Sequence, residues 1–202
     1  SERGPAIGAD GDRRWRPSTF REGLPSRPPM GRSLRDRLEL DDGDRSASLY
    51  AGVLLSATGL LAWVTGQPFV FPSLGPTAFD LATGAEADAT DRDVARRVVG
   101  GHLVGALSGF AAHSLLAPGE TVATVASPAA PLQLALVASG VLAVVCTSAG
   151  MFATDTVHPP ACATTLIVGL GLLSRPLDVG IIAAAVVLLV GVHTVLRRGR
   201  RR

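Results

Sequence analysis

Histidine, threonine and proline are concentrated in one short stretch of otherwise apolar sequence. Residues 154–168 read TDTVHPPACATTLIV, with His158 directly before Pro159 and Pro160. An imidazole donates hydrogen bonds to an anion, or changes its charge near neutral pH and so couples a process to protons. We therefore take these three residues, together with Thr156, as candidate substrate-pathway residues. The alternative is that the polar side chains only cap a helix or bond a neighbouring carbonyl group.

A second proline segment has the same character. Residues 71–79 read FPSLGPTAF, and the candidate pathway residues in it are Ser73, Pro76 and Thr77. His102 follows in the next apolar segment. Proline lacks an N–H group and is tolerated in a helix only in its first turn. Pro76, like the later proline pair, is therefore predicted to end one element and begin a short helix, although both segments also fit simple interfacial turns.

The elements that position these residues are four apolar segments long enough to cross a bilayer. Hydrophobic residues make up 47% of the chain and charged residues only 18%, which is low for a soluble protein. Ten of the 19 basic residues precede Ser46, so long uncharged stretches follow. The predicted spans are 49–66, 94–116, 132–154 and 177–196.

An internal repeat relates the two proline segments. A shift of 83 residues places 49–66 on 132–149, 73–78 on 156–161, and 98–116 on 181–199. The sequence thus predicts an all-α polytopic transmembrane protein, with four spans in two helix–proline loop–helix repeats and short half-helices after the loops. Two half-helices that start inside the membrane and meet would present free N–H groups and favour an anion between them. Ser73 and Thr156 occupy equivalent positions, where a hydroxyl group caps the following half-helix.

Three domains are predicted from composition. Residues 1–45 are rich in Arg, Asp, Gly, Ser and Pro and are expected to be a disordered tail. Residues 46–197 form the transmembrane domain, and residues 198–202 form a basic tail that places both termini in the cytoplasm of a multi-pass cell-membrane protein. The lipid bilayer is the expected partner, and the net charge of +2 is too small to indicate a nucleic acid.

Glycines on one helix face predict close helix packing. Gly101, Gly105 and Gly109 recur at every fourth position, which lets another backbone approach. The partner is either in the same chain or in a second subunit, so a homo-oligomer stays an open alternative. His113 and His193 are expected at the membrane interface. The histidines and cysteines lack metal-ligand spacing, and no catalytic motif is present, so no metal, cofactor or enzymatic activity is expected.

The segments FPSLGPTAF (71–79), GGHLVGALSG (100–109) and TDTVHPPACATTLIV (154–168) together resemble the HPP family of integral membrane proteins, which is named for its His-Pro-Pro motif. The resemblance extends from about residue 49 to residue 196. It implies a four-helix membrane protein and, because some members are linked to nitrite transport, a transporter or channel for a small inorganic anion. The alternative is a non-transporting scaffold or sensor that assembles through its glycine-rich helix face.

Overall fold

The computed structural model describes residues 42–84, 88–124, 129–200 and 202. Within these residues the chain forms helices and no strand: α1 (Asp42–Thr65), α2 (Val70–Ala82), α3 (Asp91–Leu116), α4 (Pro131–Thr154), α5 (Ala161–Gly169) and α6 (Pro176–Arg200). The predicted tail, residues 1–45, lies outside the described residues except for 42–45, which begin α1. The predicted basic tail overlaps the last residues of α6.

The four long helices, α1, α3, α4 and α6, match the four predicted spans. They contain 24 to 26 residues, or about 36–39 Å at 1.5 Å per residue, which exceeds the hydrocarbon core of a bilayer. Large apolar side chains point outward from them, and Trp63 is 78% exposed. The all-helical membrane fold predicted from the sequence is therefore confirmed.

The four long helices run in two opposite directions, two in each. At one end of the bundle, Arg198 in α6 pairs with Asp91 at the start of α3 (2.9 Å), and Arg96 pairs with Asp155, just after α4 (2.8 Å). We call this the arginine end; α1 also begins there, since the Tyr50 hydroxyl lies 3.1 Å from Nδ1 of His193. At the opposite end, which we call the cleft end, α1 and α3 end and α4 and α6 begin. The helices α1 and α3 thus run from the arginine end to the cleft end, and α4 and α6 run in the opposite direction.

The two short helices lie between these ends. Gln67, just before α2, donates a hydrogen bond to Asp178 in the first turn of α6 (3.1 Å), so α2 starts near the cleft end. Residues after α2 reach the arginine end, where the Ala89 carbonyl accepts a hydrogen bond from Arg197 (2.9 Å). The second short helix, α5, leads back to the cleft end. Each short helix and its flanking residues therefore connect opposite ends of the bundle.

Pro76 does not begin a helix, contrary to the prediction. The helix α2 starts at Val70 and continues through Pro76, although proline removes one helical hydrogen bond and strains the preceding turn. Val70, Leu74 and Ala78 are fully buried and follow the helical period of four. Their burial along one face outweighs the local cost of the proline.

Pro159 and Pro160 do precede a short helix, which begins at Ala161. The two short helices consequently fall out of register. Subtracting the repeat offset of 83 places the start of α5 at position 78, eight residues after the start of α2. The same subtraction places the starts of α4 and α6 at positions 48 and 93, near those of α1 and α3. The repeat itself therefore stays a prediction.

Candidate functional site: a buried histidine pair

Two imidazoles lie together in the centre of the bundle. His102 comes from α3 and His158 from the turn before α5; each is 1% exposed, and their ring centroids are 5.4 Å apart. The hydroxyl oxygen of Thr77, in α2, lies 2.8 Å from Nε2 of His102 and 3.2 Å from Nε2 of His158. Three residues predicted separately from the sequence thus form one cluster.

The remaining ring nitrogens contact two residues that sequence reasoning missed. Nδ1 of His102 lies 2.8 Å from the hydroxyl of Thr164, in α5, and Nδ1 of His158 lies 3.9 Å from a carboxylate oxygen of Asp80. Asp80 is partly exposed and lies outside the four long helices. A continuous α2 would have revealed Asp80, because it is three residues after Thr77 and so on the same helix face. No sequence signal identified Thr164.

The His-Pro-Pro turn is positioned by the end of α4. Asp155 adopts a left-handed conformation (φ 52°), and the next N–H group, of Thr156, donates back to the Met151 carbonyl (3.0 Å). This is the hydrogen-bond pattern of a Schellman motif, which closes a helix and reverses the chain. Aspartate tolerates the left-handed region better than most side chains. The turn then directs the His158 side chain into the bundle.

The glycines of α3 face this turn and α5 within the same chain. A methyl group built on Gly101 would lie 2.9 Å from Cβ of His158, and one on Gly105 would lie 2.6 Å from the Thr165 hydroxyl. On Gly109 it would lie 2.8 Å from the Thr165 carbonyl oxygen. All three distances are shorter than real contacts of a Cβ atom, so the absence of side chains is what allows α5 to lie against α3.

The amide groups at the start of α5 are already bonded, contrary to the prediction of free N–H groups. Those of Ala161, Cys162 and Ala163 donate to the carbonyls of His158, Pro159 and Pro160, respectively, at 3.0–3.1 Å. The two half-helix starts also do not meet, because α2 begins near the cleft end. His158 instead contacts Thr77, in the middle of α2. An anion in this cluster would be held by side chains rather than by helix termini.

Ser73 and Thr156 do not cap the helices that follow them, so the predicted capping role is wrong. Ser73 is inside α2, and its hydroxyl donates to the Val70 carbonyl (2.7 Å). The Thr156 hydroxyl lies 2.7 Å from that of Thr154, and no side chain caps α5. Both residues are buried, and their part in a substrate pathway stays a prediction.

His113 and His193 lie near the ends of their helices and are buried; their position at the membrane interface stays a prediction. His113 is 3% exposed and lies 2.8 Å from the Glu120 carbonyl oxygen, while His193 is 6% exposed and contacts the Tyr50 hydroxyl. In the part of the chain that the structure describes, no three His, Cys, Asp or Glu side chains lie close enough together to hold a metal ion. Cys146 and Cys162 are free thiols.

A polar cleft of about 740 Å³ opens at the cleft end, between the end of α3 and the start of α6. Its walls include Gln67, His113, Glu120, Arg175 and Asp178. Asp178 is 4% exposed and accepts hydrogen bonds from Gln67 and from the backbone of Arg175 (3.0 Å). Arg175 itself is exposed. The cleft is thus lined by both acidic and basic side chains.

Comparison with known proteins places these features in one family. The family model of the HPP transmembrane region matches residues 45–201, which include nearly all the described residues. No curated protein and no solved structure matches the chain.

Proposed function

The chain belongs to the HPP family of integral membrane proteins, and from this premise we propose that it moves a small inorganic anion, such as nitrite, across the cell membrane. The observation that carries the proposal is the burial of two imidazoles around the Thr77 hydroxyl, in the centre of a bundle whose outer surface is apolar. Ionisable residues inside membrane proteins are costly and commonly mark a substrate or ion pathway.

The cluster has the chemistry to hold an oxyanion for part of its passage. The ring N–H groups of His102 and His158 and the hydroxyl of Thr77 are hydrogen-bond donors that lie within a few ångströms of one another. Arg97, from α3, is a cation whose charge acts on His158. Such interactions are stronger in a site without bulk water. An anion that enters would replace the Thr77–histidine contacts with contacts to its own oxygens.

The two ends of the bundle would serve as the two entrances. We propose that the arginine end faces the cytoplasm, because basic residues near the ends of spans favour that side. The polar cleft then opens to the opposite side, where exposed Arg175 attracts anions to the entrance. On this proposal α5 moves relative to α3 to let a solute pass between the cleft and the histidine pair, because the contact between the two helices is too close to admit one in this structure.

We propose transport without chemical conversion of the solute. Thr77, His158 and Asp80 do stand in the order hydroxyl, imidazole, carboxylate, as in a catalytic triad. However, the hydroxyl is fully buried and also contacts His102, and the imidazole–carboxylate distance of 3.9 Å exceeds a hydrogen bond. This arrangement suits the exchange of protons better than attack on a substrate.

The rival proposal, assembly through the glycine face, is less well supported. Gly101, Gly105 and Gly109 are in contact with the His-Pro-Pro turn and α5 of the same chain. A second subunit would have to displace these elements before it could bind that face. Assembly through other surfaces is compatible with transport.

The test is nitrite uptake into proteoliposomes at pH 7.5, where little nitrite is protonated and able to cross lipid unaided. We expect the wild-type protein to exceed protein-free vesicles, and His158→Ala to reduce the excess uptake at least about tenfold, as expected for loss of a central donor. His193→Ala is the matched control, since it removes another buried imidazole near the arginine end.

The result is interpretable only for variants that insert normally and elute as a single species in detergent. Full uptake by inserted His158→Ala would remove the histidine pair from the pathway. Absence of uptake by the wild-type protein would contradict nitrite transport and favour the scaffold or sensor.

A further inference from the structure

The histidine pair belongs to a longer line of polar groups that reaches the arginine end. In order, the line contains Asp80, His158, Thr77, His102 and Thr164, and successive atoms lie 3.9, 3.2, 2.8 and 2.8 Å apart. Asp80 is 31% exposed, whereas the other four are essentially inaccessible. The line is thus accessible from outside the bundle at Asp80 and enclosed at Thr164.

Thr77 restricts the protonation states of the two histidines. Its hydroxyl carries a single hydrogen but faces Nε2 of both rings. It can donate to only one of them, so the second contact is a hydrogen bond only when that Nε2 carries a hydrogen and donates to Thr77. At least one ring therefore has its proton on Nε2, and the hydroxyl forms a link through which that proton can move.

From this geometry we propose that Asp80 delivers protons from the arginine end to the histidine pair, and that these protons accompany the transported anion. The proposal rests on the transport function and identifies the ion that drives or follows it. Asp80 is a positioning and proton-exchange residue, with no contact to the anion required. Neither the motif nor the resemblance indicated such a role for it.

The proposed transfer moves one proton from Asp80 to His102 in three linked steps. The protonated Asp80 carboxyl gives its proton to Nδ1 of His158, while Nε2–H of that ring gives its proton to the Thr77 oxygen. The original hydroxyl hydrogen of Thr77 passes to Nε2 of His102, which becomes an imidazolium. One carboxylate and one imidazolium are formed, and no other bond changes. The 3.9 Å step is bridged by a small rotation of the exposed carboxyl group or by one water molecule.

The charges around the pair explain why a proton and an anion would move together. Among the described residues, the charged and titratable side chains that act on His158 are Asp80 from α2, and Arg97 and His102 from α3. Arg97 opposes a positive charge on His158, and a positive charge on His158 opposes one on His102. An anion bound beside the rings offsets that repulsion, so anion binding favours proton uptake and protonation favours anion binding. The two effects are equal by linkage.

The first experiment measures proton access directly and does not depend on transport. Protein labelled with ¹⁵N-histidine, in lipid nanodiscs, is transferred to D₂O, and loss of the ring N–H signals of His102 and His158 is followed by NMR. We expect Asp80→Asn to slow this exchange on the order of a hundredfold, the typical contribution of a positioned acid or base. Asp155→Asn is the control, because Asp155 is an exposed carboxylate at the same end.

Exchange at the wild-type rate in Asp80→Asn would overturn the proposal, whether or not nitrite is transported. The second experiment uses proteoliposomes with an internal pH dye and an inward nitrite gradient. We expect the wild-type protein to acidify the lumen during uptake, and Asp80→Asn to lose this proton movement while nitrite–nitrite exchange continues. Nitrite uptake with unchanged acidification in Asp80→Asn would also contradict the proton route, whereas absence of uptake in the wild-type protein would contradict only the transport function.

Discussion

The two proline segments contact each other at Thr77 and His158, yet the chain accommodates them differently. The helix α2 continues through Pro76, whereas α5 begins only after Pro159 and Pro160. The packing around the two segments also differs. A methyl group on Gly75, beside Pro76, would meet nothing within 4 Å, but one on Gly109 would be only 2.8 Å from the backbone of α5.

This difference shows that close packing, rather than proline alone, decides where a short helix begins. The His-Pro-Pro turn lies against a surface of α3 that has no side chains, so its backbone position is fixed. The α2 segment packs through ordinary side chains, which tolerate the distortion that a proline introduces. Proline therefore precedes the start of a short helix in one half of the protein and lies inside a short helix in the other.

The largest effect is expected where the two segments meet. Thr77→Val keeps the shape of the side chain but removes the hydroxyl between the rings, and each buried Nε2 left without a partner costs about 1–3 kcal/mol. Because two ring nitrogens lose their partner, we expect the free energy of unfolding to fall by about 2–6 kcal/mol and nitrite uptake to be lost. Steric-trapping or denaturant titration in lipid-like detergent measures the first effect, and the proteoliposome assay measures the second.

Ser73→Ala is the control for this variant, because the Ser73 hydroxyl only returns to a carbonyl of its own helix. We expect it to lower the free energy of unfolding by about 0.5–1.5 kcal/mol, the net contribution of one hydrogen bond. Equal effects of the two substitutions would show that Thr77 contributes as a local helix residue and not as the link between the segments.

The next effect concerns the packing difference itself. Gly109→Ala inserts a methyl group where the backbone of α5 already lies, and overpacking of this kind costs about 1–3 kcal/mol. Gly75→Ala enters open space within α2 and should raise the free energy of unfolding by about 0.5–1 kcal/mol, since alanine is the better helix former. The sign of the two changes, read from unfolding titrations under the same conditions, is the decisive observation. Two changes of the same sign would mean that the segments are packed alike.

The smallest effect concerns the prolines. Pro160 lies directly before α5 with φ −55°, the value that proline favours, so Pro160→Ala should lower the free energy of unfolding by about 0.4–1 kcal/mol through the entropy of the unfolded chain. Pro76→Ala should raise it slightly, because the new N–H group can donate to the Pro72 carbonyl. For a domain of this size, 1 kcal/mol corresponds to about 2–4 °C in thermal midpoint, which a thermal-shift assay in detergent resolves. A lower midpoint for Pro76→Ala would indicate that α2 needs its proline.

The sequence predicted the long helices because each is a long apolar stretch with at most two charged residues, near its start, and such a pattern has few alternatives. It also identified His102, His158 and Thr77, since polar side chains are conspicuous in apolar segments. It did not bring Asp80 or Thr164 into the site, because their roles depend on distances between helices that are remote in the chain. The start of α2 was misplaced because a local rule about proline was applied where burial of one helix face was the stronger effect.

The glycine surface of α3 also has a mechanical consequence. In most helix pairs the side-chain ridges of one helix fit the grooves of the other, and these ridges resist sliding of one helix along its neighbour. The surface formed by Gly101, Gly105 and Gly109 has none, so α5 is restrained along it by hydrogen bonds rather than by shape. A shift of α5 along α3 has to break the His102–Thr164 contact, so such a displacement would also uncouple the enclosed end of the polar line.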